Sequence, residues 1–296
     1  MIRLILIALV VLVLGGLGLA FSKGEDLLLA NAARTMEKRS LEELKGLLKP
    51  AIRVYLPEDA GTEPLPTLIQ FHGCSGHKDG HQQQWADVGM ATGHLVLSVD
   101  SNSVRGIERD VSFETVCQGK ELIGYERAAD IAAALAIAAE RPDVDTDRIT
   151  VMGWSHGSWT LMDYASLTSN DRPLPTLEAT VAELGDEMIP QVNGYVLFYP
   201  YCGIGSLARV MAWKDNAPTV AFVGGQDDTV NGPECKAMFE KISTQGGDID
   251  LVYYPDTNHS FEDTFLEEEY QYYYDAEAHK DAEARVRMFL EDRATN

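Results

Sequence analysis

The sequence is short of positive charge. Lysine and arginine supply 24 residues against 46 aspartates and glutamates, a formal net charge of −22. Phosphate binding needs a basic surface, so nucleic acid is excluded as a partner. Internal repeats and low-complexity linkers are also missing, which points to one domain. Cysteine is scarce, at four residues in 296, and a chain of that length buries a sizeable core without staples. The hydrophobic share of 45% is ordinary, which excludes both a disordered chain and a multi-span membrane protein.

One apolar run stands apart. Arg3 is followed by apolar and glycine residues from Leu4 to Phe21, with no polar face and enough length to cross a bilayer. Residues 1–22 are therefore expected to form an N-terminal apolar helix. It is either a signal peptide, cut after Ala20 or Ser22, or a retained anchor. No cysteine follows the run, so a lipoprotein anchor is excluded. With Arg3 on the inner flank, the rest of the chain is expected to be exported, periplasmic or secreted, and to meet a membrane only through residues 1–22. In an oxidising compartment Cys74, Cys117, Cys202 and Cys235 are expected to form two disulfides, with three pairings open and four free thiols as the alternative.

Residues 23–49 read as a helical spacer or a packing helix. Ser40 with Glu43 is a capping box that restarts a helix before Leu44, Leu47 and Leu48, and Pro50 ends it. From residue 50 to 296 the rhythm is that of an α/β domain with a mostly parallel sheet flanked by helices. Strands are expected at Ile52–Leu56, Thr67–Phe71, His94–Asp100, Arg148–Met152, Gly194–Phe198, Thr219–Val223 and Asp250–Tyr254. Most are continuous apolar runs, as strands covered on both faces should be. Helices are expected at Glu121–Glu140 and Ala276–Leu290. The stretch Leu167–Gln191, with Pro173, Pro175 and Pro190, reads as a cap or lid over the sheet edge.

Ligands of such sheets bind beyond the carboxyl ends of the strands. Gly153-Trp154-Ser155-His156-Gly157 follows one strand and opens a helix, the G-x-S-x-G pattern of a nucleophile elbow. A serine hydroxyl needs a base to take its proton and an acid to orient that base. Asp227 stands just past Thr219–Val223, and His259 just past Asp250–Tyr254, in the order Ser155, Asp227, His259. Asp228 is the rival acid. An oxyanion hole needs two backbone N–H groups: His156 should supply one and Cys74, in His72-Gly73-Cys74-Ser75-Gly76, the other, with Ser75 the alternative. The same loop carries a competing idea, since Cys74, His77 and His81, with His72 nearby, have spacing compatible with zinc. Trp154 and Trp159 either line an acyl pocket or pack the core. The run Glu267–Tyr270 with Tyr272, Tyr273 and Tyr274 reads as an acidic surface turn packing its aromatics, with ligand stacking the alternative.

Taken together, these motifs resemble the dienelactone hydrolase family of α/β-hydrolases, and especially its exported branch. The resemblance spans residue 51 to the C-terminus. It rests on HGCSG at 72–76, DSNSVRG at 100–106, Arg127 with Asp130, GWSHG at 153–157, FYPYC at 198–202, GGQDDTV at 224–230 and NHSF at 258–261, with the closing stretch 274–290. It implies the α/β-hydrolase fold and a triad of Ser155, Asp227 and His259. Two features depart from the dienelactone enzymes themselves. Serine replaces the cysteine of their elbow, and Glu262 and Asp263 stand where an arginine would hold a substrate carboxylate. The fold also places the strands before Cys74 and Cys117 side by side, and likewise those before Cys202 and Cys235, so the implied pairs are Cys74–Cys117 and Cys202–Cys235.

The expected function is that of an exported serine hydrolase cleaving a small-molecule carboxylic ester, thioester or related acyl bond, with no metal or other cofactor. The alternatives are a non-catalytic binding protein on the same scaffold, and a peptidase. The latter ranks low because the chain lacks the large extra domain of many α/β-hydrolase peptidases.

Overall fold

A computed structural model of the chain describes residues 36–211, 213–266 and 272–295. The apolar run at residues 1–22 and the acidic turn at 267–270 lie outside the described residues. Among the described residues, no helix is long and apolar enough to cross a membrane.

The strands are β1 (Ile52–Tyr55), β2 (Leu65–Phe71), β3 (Leu95–Val99), β4 (Val144–Trp154), β5 (Gly194–Phe198), β6 (Thr219–Gly224) and β7 (Ile249–Tyr254). They form one sheet of order β1-β3-β2-β4-β5-β6-β7. β1 runs antiparallel to β3 and every other neighbouring pair is parallel, the topology of an α/β-hydrolase. The helices are α1 (Leu41–Leu48), α2 (Asp79–Ala91), α3 (Arg109–Glu114), α4 (Gly124–Ala139), α5 (His156–Thr168), α6 (Val181–Leu184), α7 (Gly232–Thr244) and α8 (Ala276–Thr295).

The strand residues alternate between two apolar layers, because successive side chains of a strand point to opposite faces. Ile69, Leu97, Val151, Leu197 and Ala221 join the layer that holds α1, α4, α5 and α7. Leu68, Val96, Met152, Val196, Phe198 and Phe222 join the layer that holds α2 and α8. α4 is buried without a break from Arg127 to Ala138, and its alanines allow the close helix approach that such burial requires.

Of the two readings of the stretch 23–49, the packing helix holds where it is described and the spacer does not. The Ser40–Glu43 capping box forms, with the Glu43 N–H 3.3 Å from Ser40 Oγ and the Ser40 N–H 2.8 Å from Glu43 Oε2. Leu41, Leu44 and Leu48 then fall on one helical face and are buried in the core, so α1 belongs to the α/β body. Nor is Leu167–Gln191 a lid. Leu174, Leu177 and Ile189 are buried in the same core layer, Leu177 pairs with Arg39 in an isolated bridge, and Thr176 Oγ1 donates to the Glu126 carbonyl at 2.8 Å. The prolines shape a packed connection.

Candidate active site

At the end of β4 the chain turns sharply into α5, and Ser155 sits at the turn with φ 51° and ψ −111°. Such a conformation costs a non-glycine residue about 1–3 kcal/mol and lifts the side chain clear of the sheet. The two flanking glycines are steric necessities. A Cβ on Gly157 would lie 2.1 Å from the Phe71 carbonyl oxygen, and one on Gly153 would lie 2.6 Å from the Ser158 nitrogen. Ser158 Oγ donates to the Gly153 carbonyl at 2.6 Å, and the Ser155 N–H donates to the Phe198 carbonyl at 2.9 Å, so the turn is pinned to β4 and β5.

The loops after β6 and β7 bring two more side chains to this point. His259 Nε2 is 3.0 Å from Ser155 Oγ, and His259 Nδ1 is 2.7 Å from Asp227 Oδ2. Asp227 is buried, and its Oδ1 accepts the Thr229 N–H at 3.0 Å and the Val230 N–H at 3.2 Å. Asp228 is exposed. Since a carboxylate only accepts, Nδ1 of His259 carries a proton, and Nε2 is left free to accept from the serine hydroxyl.

Cys74, Ser75 and His156 all border the cavity that opens over Ser155. Cys74 is joined to Cys117 with a Cα–Cα distance of 5.0 Å, and Cys202 to Cys235 at 5.3 Å, the pairs that the fold implied. The metal alternative loses its donor set. Cys74 Sγ is spent on the disulfide, His77 Nε2 lies 3.0 Å from Ser98 Oγ, His81 Nε2 3.0 Å from Glu262 Oε1, and His72 Nδ1 2.6 Å from the Gly73 carbonyl. Burial drives the His77 imidazole down to about 4, and burial together with the nearby Arg127 charge holds His72 and His156 well below the usual imidazole range.

The cavity measures about 1280 Å³ and is walled largely by apolar groups, among them Phe113, Ile123, Trp159, Tyr201, Leu207 and Val230. Ile204, which also lines it, is 90% exposed. Two of its cationic side chains are neutralised: Lys78 pairs with Asp263 at 2.9 Å, and Arg209 pairs with Glu234.

The family model described as the Dienelactone hydrolase family matches residues 52–293. The chain belongs to this family. Among solved structures, a Klebsiella pneumoniae protein assigned as a dienelactone hydrolase superposes with a TM-score of 0.61 at 16% identity, covering 81% of this chain and 98% of that one. Thermogutta terrifontis esterase 2, in a form phosphorylated by paraoxon, superposes with a TM-score of 0.59 at 15% identity, covering 81% of this chain and 88% of that one. Among curated proteins, a Talaromyces marneffei protein named as a dipeptidyl-aminopeptidase B is 24% identical over 206 residues, covering 66% of this chain. The chain spans only 22% of that relative's length.

Membership of the dienelactone hydrolase family leaves the details of the cavity to this chain's own residues. Glu262 and Asp263 are given to His81, Lys78 and Tyr199, whose hydroxyl lies 3.0 Å from Glu262 Oε1. Tyr199 is a site residue that the motifs did not single out. Tyr199 packs its ring 4.6 Å from that of His259. It directly follows β5, a position that the strand-end rule could have flagged. Tyr272 lies 5.3 Å from His259, ring to ring, with its hydroxyl 2.9 Å from Thr229 Oγ1, so it borders the site instead of filling a surface turn. Trp154 and Trp159 serve both readings, being buried and lining the cavity.

Proposed function

We propose that this chain is a serine hydrolase of neutral carboxylic esters or closely related acyl compounds, working through an acyl-enzyme. The observation that carries the reading is the unbroken hydrogen-bonded chain from Ser155 Oγ through His259 to Asp227. Ser155 Oγ attacks the acyl carbonyl while His259 Nε2 takes its proton, and Asp227 holds the imidazolium that forms. The N–H groups of His156 and Cys74 receive the oxyanion of the tetrahedral intermediate. His259 then protonates the departing alkoxide, and the ester splits into alcohol and acyl-Ser155. A water molecule, deprotonated by His259, attacks the acyl group and releases the acid.

The apolar cavity and its paired cations support an uncharged substrate over a carboxylate-bearing lactone, and the −22 net charge works in the same direction. Two disulfides support an exported protein, with residues 1–22 as signal or anchor. Ser155→Ala should abolish turnover of a nitrophenyl ester without changing the unfolding midpoint, and equal rates for variant and wild type would defeat the proposal. The dipeptidyl-aminopeptidase relatives supply the second reading, peptide cleavage at the same serine. Release of nitroaniline from a dipeptidyl anilide, at a kcat/KM above that for esters, would favour it.

A further inference from the structure

We infer that the His72 imidazole is a positioning group for the oxyanion hole: its Nδ1–H, bound to the Gly73 carbonyl, aims the Cys74 N–H into the cavity. The inference rests on the Ser155 reading above and adds to it a residue outside the Ser155–His259–Asp227 chain.

The tautomer follows from the two partners of the ring. The Ser101 backbone N–H donates to His72 Nε2 at 3.0 Å, and a backbone N–H only donates. His72 Nδ1 lies 2.6 Å from the Gly73 carbonyl oxygen, which only accepts. Nε2 is therefore bare and Nδ1 carries the proton. The ring is fully buried, and burial keeps it neutral, so one tautomer persists across the working pH range.

The consequence is a matter of peptide geometry. Gly73 C=O and Cys74 N–H belong to one planar unit, and the described residues contain no cis peptide. In a trans unit the carbonyl and the amide point in opposite directions. Drawing the Gly73 oxygen toward the buried imidazole turns the Cys74 N–H the other way. Among the described residues no acceptor takes that N–H, and Cys74 borders the cavity. Gly76 N–H reaches the same carbonyl at 3.3 Å, a longer contact that closes the turn and leaves the imidazole as the shorter hold.

The neighbouring peptides are fixed as well. Arg127 Nη1 donates to the His72 carbonyl at 2.8 Å and reaches His156 Nδ1 at 3.2 Å. One buried guanidinium thus touches His156, which carries one oxyanion amide, and His72, two residues before the other. Asn102 Nδ2 donates to the Cys74 carbonyl at 3.1 Å, holding the next peptide unit. Arg127 Nε in turn donates to Ser101 Oγ at 3.0 Å, and Asp130 grips Arg105 of the same loop at 2.7 Å. His72 is the one member of this cluster that acts on the peptide carrying the Cys74 N–H.

The test compares His72→Asn with His72→Gln in the full chain. An asparagine amide can place a donor near the position of Nδ1, whereas glutamine reaches instead toward Nε2. Removing an oxyanion donor costs about 10²–10³-fold in kcat. His72→Gln should lose about 100-fold in kcat with KM changed less than threefold, while His72→Asn keeps at least a tenth of the wild-type kcat. Affinity for a trifluoromethyl ketone, which binds as a tetrahedral oxyanion, should fall in parallel with kcat/KM. Equal kcat in the two variants overturns the inference, as does the reverse order. Nitrogen-15 NMR of the wild-type His72 ring tests it even if a variant does not fold: a proton on Nδ1 supports it and a proton on Nε2 refutes it. If Ser155→Ala retains turnover, the underlying hydrolase reading fails. If Ser155 is essential and the two His72 variants match, only this inference fails.

Discussion

Replacing Asp227 with asparagine removes a charge and reverses a proton, and the reversal does the greater damage. Oδ1 of Asp227 accepts two backbone N–H groups, from Thr229 and Val230, at 3.0 and 3.2 Å. An asparagine at 227 must turn its oxygen to those donors, since its NH₂ there would leave the buried Val230 N–H unpaired at about 1–3 kcal/mol and lose the Thr229 bond as well. The NH₂ then faces His259 Nδ1, which must accept. The imidazole proton moves to Nε2, where it points at Ser155 Oγ and blocks proton uptake. A wrong tautomer of this kind costs about 10⁴-fold in kcat, equivalent to about 5 kcal/mol of barrier. Steady-state hydrolysis of a nitrophenyl ester measures it, with circular dichroism confirming the fold and Asp228→Asn as the exposed control. A loss under about tenfold for Asp227→Asn, or an equal loss for Asp228→Asn, would refute the argument.

Acid should destabilise the protein earlier than its carboxylates alone would. His77 and His94 are both pushed down to about 4 by burial, against an ordinary value near 6.5, and burial also holds His72 and His156 well below it. Between pH 6.5 and 4 the unfolded chain binds protons that the native histidines refuse. The histidines' contribution to stability is thus level above pH 6.5 and falls as pH drops, by up to about 1.4 kcal/mol per pH unit for each, against an opposite trend from the Asp163 carboxyl, which burial raises. Urea midpoints that are flat from pH 7.5 to 5 would contradict this. The Cys202–Cys235 bridge closes a loop with a sequence separation of 33. Its double serine variant should lose about 3 kcal/mol of unfolding free energy by denaturant titration, and an unchanged midpoint would contradict that.

Much of the sheet was legible because its strands are apolar on both faces. All seven expected strands coincide with observed ones, and the errors lie where polarity hid a backbone that was still hydrogen-bonded. β4 begins at Val144, not Arg148, because Asp145 and Asp147 lie on its exposed end. α4 begins at Gly124, not Glu121, because Leu122 has a φ of 48° and the Glu126 carboxylate accepts the Ile123 N–H at 3.2 Å. α8 continues to Thr295 through charged residues that have no apolar stripe to report them. The docking of α1 and the burial of Leu177 were hidden for a different reason. Both depend on contacts between segments distant in the chain, α1 with α4 and Leu177 with Arg39, and no local pattern records these. Within the site, residues at strand ends could be read in order. The cavity wall built from residues 109–125, which follows no strand end directly, could not.

The central claim is that Ser155 is an activated nucleophile. Incubation with a fluorophosphonate, followed by peptide mass spectrometry, tests it most directly, since an unactivated serine does not react. The account predicts one phosphonyl group per chain, located on Ser155 and lost when His259 is replaced by alanine. An unlabelled Ser155 in folded protein, or labelling that survives His259→Ala at the wild-type rate, would contradict it.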